Sequence, residues 1–163
     1  MDQLQSSINQ FARMISNQPL GLIRHQPSSD ALPTNCLSNT QNFQKKNGGN
    51  IRYGWYFLHR MSTEYGDYLI ATHHAVWQNP ENSSLIDITP FHAEQKHQPI
   101  APGGELLFLL DDKAQPIRVD NLVIPSPSHY YPIGNNPQIV EYVKNLQYNE
   151  LQYYKQQYGL HLG

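Results

Sequence analysis

The chain of 163 residues contains one cysteine, Cys36. That scarcity excludes an internal disulfide framework and any zinc site built on several thiolates. Charge is also sparse. Asp, Glu, Lys and Arg make up 15% of the residues, and the formal net charge is −2 with a pI near 6.4. Such a chain lacks the basic footprint of a nucleic-acid binder, so no nucleic-acid partner is expected. No apolar run approaches the ~20 residues a membrane-spanning helix needs, so no membrane partner is expected either. Gly48-Gly49 and Gly103-Gly104 lack the Lys-Ser/Thr or Gly-x-x-Gly continuation of a phosphate-binding loop. The N-terminus, MDQLQSSINQFARM, has neither a basic n-region nor an apolar h-region. This points to a cytoplasmic protein, or to export without a cleaved signal peptide.

Polarity is carried by Asn, Gln, Ser and His, around a hydrophobic content of 39%. The length suits one domain with one core. The expected layout over 1–163 is an N-terminal helix and loop (1–33), a Cys-bearing helix with a sheet core (34–125), and a C-terminal helix (136–159). Leu4, Ile8, Phe11, Met14 and Ile15 recur at helical spacing behind Asp2 as N-cap, with Pro19 as the stop. Residues 21–33 read as loop from Pro27, Ser28, Ser29, Asp30 and Pro33. A second helix is expected from Thr34 or Asn35 to Gly48-Gly49, with Lys45 and Lys46 in its last turn.

Strands are expected at 51–59, 69–77, 85–89 and 105–110. Asp111–Ala114 reads as a hairpin turn, with a strand-like return over 115–124. Gly54 inside the first strand marks a bulge or a close backbone approach. Residues 125–132 read as a Pro/Ser/His/Tyr loop. Asn136-Pro137 opens the last helix, which Gly159 ends. Helices flanking a run of strands give an α+β domain with an antiparallel sheet.

The chemistry concentrates in YLIATHHAVWQNPENSSLIDITP, residues 68–90. Turn residues 78–84 join two strands as antiparallel neighbours. A turn centred on Pro80-Glu81 places His74 directly opposite Asp87, with Cβ atoms about 5 Å apart. His73 then falls on the other face, as a histidine with one satisfied hydrogen bond. Cys36 falls in the first turn of its helix, where free N–H groups and the positive dipole end favour thiolate and can hold an oxyanion. Cys36, His74 and Asp87 could thus form a nucleophile, its base and the group that orients the base, while a lone cysteine also commonly serves as a small inert hydrophobe.

A Cys at a helix start, followed by His-Ala-x-Trp and Asp-x-Thr-Pro, resembles the transglutaminase-like branch of the papain-like cysteine superfamily. The matching positions are Cys36, His74-Ala75 with Trp77, and Asp87 with Thr89-Pro90. The extra residue Val76 turns Trp77 to the opposite face. Residues 36–90 also resemble small uncharacterised bacterial proteins with Gly-Gly, Gly-Trp, His-Ala-Val-Trp and Asp-x-Thr-Pro. The resemblance implies a papain-like, transglutaminase-like α+β fold and a Cys36–His74–Asp87 triad. It implies acyl transfer from an amide of a protein or peptide substrate, such as a glutamine side chain, as hydrolase, deamidase or transglutaminase. The Cys36 N–H would be one oxyanion donor, and Asn35 or Trp55 the second. It implies no cofactor and no metal.

Two other readings remain open. His73, His74, His92, His97, Asp87 and Cys36 include zinc-ligand types, but without a His-x-x-x-His or Cys-x-x-Cys spacing. Eleven tyrosines, several on the last helix, could instead make a protein-binding surface without catalysis.

Overall fold

The N-terminal helix α1 (Gln3–Ile15) begins where the Asp2 carboxylate accepts the Gln5 N–H at 2.7 Å, and its buried stripe is Ser7, Ile8, Phe11 and Ala12. The structure, a computed structural model, describes residues 2–163, apart from the side chains of Ser62 and Thr63. The chain then forms strand β1 (Leu20–His25), helix α2 (Cys36–Asn47), strands β2 (Asn50–Thr63) and β3 (Gly66–Gln78), and a short β4 (Leu85–Asp87). Strand β5 (Glu105–Leu110), strands β6 (Ile117–Val119) and β7 (Leu122–Ile124), strand β8 (His129–Pro132) and helix α3 (Pro137–Tyr158) follow. The fold is α+β, with a mixed, mostly antiparallel sheet.

Strands β2 and β3 form a long antiparallel ribbon, from Asn50↔Gln78 to Arg60↔Tyr68. β2 also pairs with β5, β5 with β1, β1 with β4, and β4 returns to β3, so five strands form a closed circuit. The β1–β4 pairing is parallel and matches His25 with Asp87. On the edge of β3 away from β2, β8 pairs with residues 68–71 and β4 with residues 77–78. The stretch 72–76 between them carries His74.

Alternation along the ribbon sorts two cores. Trp55, Phe57, Leu69, Ala71 and Leu109 pack with Ile8, Phe11 and Ala12 of α1. Leu58, Tyr68 and Ile70 pack with Ile139 and Val143 of α3. Gly54 has no side chain because a Cβ there would fall on the Leu109 carbonyl and lie 2.7 Å from the Phe108 ring. The expected close approach is present, while the irregularity in β2 pairing lies at Arg60–Thr63. Trp77 stacks edge-on against Phe43 with ring centroids 4.8 Å apart and donates to the Gly48 carbonyl at 2.8 Å. Its indole thereby fastens the C-terminal end of α2 to the sheet.

Three expectations are corrected. The segment expected to be loop from residue 21 begins with β1, whose groups are satisfied by β5 on one side and β4 on the other. The return after Asp111–Ala114 does not pair with β5. It folds as β6 and β7, paired only with each other. The 125–132 loop ends as β8, a strand tolerable there because Pro132 lies at its terminus.

Candidate active site

Cys36 is the first residue of α2, behind Asn35 at the N-cap. The first intrahelical bond is Asn39 N–H to the Asn35 carbonyl, so the N–H groups of Cys36, Leu37 and Ser38 have no acceptor within the helix. The Asn35 side chain does not cap them. Thr40 braces this turn by donating its hydroxyl to the Cys36 carbonyl at 2.7 Å. Asn39, buried one turn along, ties α2 down. Its amide accepts from Leu32 N–H (3.1 Å) and donates to the Leu32 carbonyl (2.7 Å) and to Thr89 Oγ1 (3.1 Å).

His74 and Asp87 meet across the β3–β4 junction. His74 Nε2 lies 2.9 Å from Asp87 Oδ1, which also accepts the Thr89 N–H at 3.1 Å. The observed register, Trp77↔Ile86 and Gln78↔Leu85, is displaced by two residues from the expected one. Asp87 therefore stands diagonally across from His74 on the same face, still within reach. Both groups are nearly sealed, at 6% and 1% exposure. With Nε2 engaged by the carboxylate, Nδ1 is the nitrogen left for the Cys36 thiol, which interacts with this ring and with the Ala75 N–H.

The electrostatics follow from that contact set. Burial alone would push the Cys36 thiol up, but the His74 imidazole and the Ala75 N–H outweigh it and hold the thiol below its ordinary value. Burial would push His74 down, but the Asp87 carboxylate overrides it and raises the imidazole to about 10. These opposite displacements favour thiolate beside imidazolium. Tyr56 covers the imidazole, its ring 4.7 Å away and steeply inclined.

A cleft of about 470 Å³ opens over these groups. Its walls include Asn35, Cys36, Tyr56, His74, Phe91 and Val123. Asn35 is exposed at its rim. Trp55, the other expected oxyanion donor, is not part of it. Trp55 is buried on the α1 face of the ribbon and donates to Asp111 Oδ2 at 2.9 Å, because its neighbour Gly54 and not Trp55 shares the face of His74.

His73 faces away and makes two hydrogen bonds where one was expected. The Ser126 N–H donates to Nδ1 at 3.1 Å, which leaves Nε2 as the donor to the Ala114 carbonyl at 2.6 Å. Burial holds this ring below the ordinary histidine value. The two bonds clamp both ends of the β6–β7 segment. His92 lines the cleft, His97 is exposed elsewhere, and among the described residues no group of three or more His, Cys, Asp or Glu is arranged around a metal position.

Sequence reasoning missed His25. It lies beside Asp87 through the parallel β1–β4 pairing, with Nε2 3.7 Å from Asp87 Oδ2 and 2.8 Å from the Thr89 carbonyl. The available signal was the apolar run LGLI before Arg24-His25.

No protein-family model matches this chain, and neither does a curated protein or a solved structure.

Proposed function

We propose that this protein is a cysteine-dependent acyl-transfer enzyme acting on an amide of a protein or peptide. The observation that carries the reading is the meeting of Cys36, His74 and Asp87 in one cleft, with the imidazole between sulfur and carboxylate. The placement of the cysteine at the start of a helix packed on an antiparallel ribbon agrees with the papain-like, transglutaminase-like arrangement implied by the sequence motifs.

In this mechanism the Cys36 thiolate attacks the amide carbonyl carbon, forming a C–S bond and moving charge to the carbonyl oxygen. The N–H groups of the first turn of α2, which have no acceptor within the helix, support a role as donors to that oxygen, with the Asn35 side chain at the rim as a further candidate. The His74 imidazolium gives its proton to the nitrogen as the C–N bond breaks, and the amine leaves. Neutral His74 then takes a proton from water or from an acceptor amine, which attacks the thioester and regenerates the thiolate–imidazolium pair. Asp87 keeps Nε2 protonated, so that Nδ1 handles every proton transfer.

The test is alkylation of Cys36 by iodoacetamide across pH, in wild type and His74→Ala. A thiol with an ordinary pKa of ~8.5 is only about 1% ionised at pH 6.5. Wild type should react at pH 6.5 at a rate close to its rate at pH 8, and His74→Ala should lose ~30-fold or more at pH 6.5. Matching profiles with an ordinary thiol midpoint would remove the nucleophile and the proposal with it.

A further inference from the structure

The Asp87 carboxylate is 1% exposed, yet only one of its oxygens is hydrogen-bonded. Oδ1 serves both His74 and the Thr89 N–H, while Oδ2 is buried without a hydrogen bond. An ionised carboxylate in that position is costly unless positive charge or donor dipoles face it. It can relieve the deficit by turning its occupied oxygen away from His74. That rotation would remove the contact on which the imidazolium depends.

The polar group beside Oδ2 is the His25 ring. Its Nε2 is 3.7 Å away, too far for a hydrogen bond but close enough for an N–H dipole to act in a buried site. The same nitrogen lies 2.8 Å from the Thr89 carbonyl, which can only accept, so Nε2 carries a proton. Three restraints fix the ring. The His25 backbone N–H donates to the Gly104 carbonyl at 2.9 Å, its strand pairs with Asp87, and the ring face stacks on Phe91 at a centroid separation of 4.0 Å. Thr89 links the parts, donating its N–H to Asp87, accepting from His25 at its carbonyl and accepting from Asn39 of α2 at its hydroxyl.

We propose that His25 is a positioning residue for the site: its Nε2–H, held on the Thr89 carbonyl beside the open oxygen of Asp87, keeps that carboxylate turned toward His74. The inference rests on the triad reading above and assigns to the chain a fourth participant that touches no reacting atom. Removing the donor frees the Thr89 turn and takes away the N–H that lies 3.7 Å from Oδ2. The imidazolium then becomes easier to deprotonate.

The test is the pH profile of Cys36 alkylation by iodoacetate in wild type, His25→Phe and His25→Gln. An anionic reagent is drawn by the imidazolium, so its rate rises as the thiolate–imidazolium pair forms and falls as His74 loses its proton. His25→Phe keeps an aromatic ring against Phe91 and loses the donor. His25→Gln keeps a donor able to reach the Thr89 carbonyl. The expected result is an alkaline limb displaced downward by about one pH unit in His25→Phe, a loss of roughly tenfold in rate on that limb. His25→Gln should lie within a few tenths of a unit of wild type. If His25→Phe does not fold, His25→Asn, polar but too short for the Thr89 carbonyl, takes its place.

A His25→Phe profile superimposed on wild type overturns the inference. So does an equal displacement in His25→Gln, since the ring and not the donor would then matter. A wild-type thiol without a low-pH limb is a different outcome, which ends the triad reading itself and this inference with it.

Discussion

Asp87 is tied into the site through both its side chain and its backbone. Its side chain holds the imidazole and the Thr89 turn, while its backbone lies in the parallel pairing with His25 and accepts the Gln26 N–H at 2.8 Å. The role of the carboxylate can be read through the pH dependence of stability. His74 is raised to about 10 in the folded protein against ~6.5 in an unfolded chain. A raised pKa contributes stability that is complete below about 6.5 and disappears as pH rises through about 10. Replacing Asp87 by Asn removes the group that raises it. The stability difference between wild type and Asp87→Asn in urea titrations should therefore be largest near pH 6 and shrink steadily toward pH 10. A difference that grows with pH would mean His74 is neutral in the fold. Among the site residues, Cys36 and His74 were legible from local signals: a lone cysteine at a helix start and a histidine on an apolar run. Asp87 was legible through parity alone, because a register displaced by two residues leaves every side chain on its original face. His25 was hidden because the apolar run LGLI before it marks a strand but not its parallel partner 62 positions away.

The elements that sequence revealed best are those whose patterns are local. The caps Asp2 and Asn136, the proline at the start of α3 and Gly159 in the left-handed conformation at its end all lie where spacing placed them. The missed strands share a different character. β1 follows Pro19 and contains Gly21, β8 ends in Pro132, and both derive their stability from neighbours distant in sequence. β6 and β7 looked like a partner for β5 because they follow the Asp111–Ala114 turn and carry apolar Ile117, Val119 and Leu122–Ile124, but three-residue strands on one short hairpin satisfy each other first. Gly54 was legible as a special position, and it has a consequence for the site. It pairs with His74 across the β2–β3 ribbon and with Leu110 across β2–β5. A Cβ there must push β5 off or push β2 toward His74. Gly54→Ala should cost ~3 kcal/mol or more, at the upper end of overpacking penalties. It should also slow Cys36 alkylation at pH 6.5. Trp77→Phe, which loses one hydrogen bond to a backbone carbonyl, should cost only ~1 kcal/mol. Chemical denaturation of the two variants checks both figures, and a Gly54→Ala protein as stable as wild type would mean the two strands do not approach as described.

At the scale of the whole molecule, the closed circuit is uneven. The β2–β3 ribbon pairs over more than ten residues, whereas β4 is joined to β1 and to β3 by two residue pairs each. Side chains reinforce this narrow seam, through the Asp87, Thr89, His25 and Asn39 contacts. Local opening free energies in a native protein range from near zero to the global value, and the fewest backbone bonds open first. Amide exchange should therefore be at least about tenfold faster at residues 85–87 than at residues 69–75. Uniform protection across both would show that the circuit opens only as one unit. The α+β class was legible because helices bracket the strand run. The circuit was not, since its closure depends on β1, the strand that a loop-like composition concealed.

The coincidence of Asp87 with that seam ties ancestry to architecture. A lineage of this chain relieved of its chemistry could exchange Cys36 for serine at little cost, because a hydroxyl oxygen can accept the Ala75 N–H in place of the sulfur. The aspartate would be surrendered last, since losing it unfastens the hoop as well as the imidazole. Descendants that have fallen silent should thus be recognisable by a missing thiol above an intact acid.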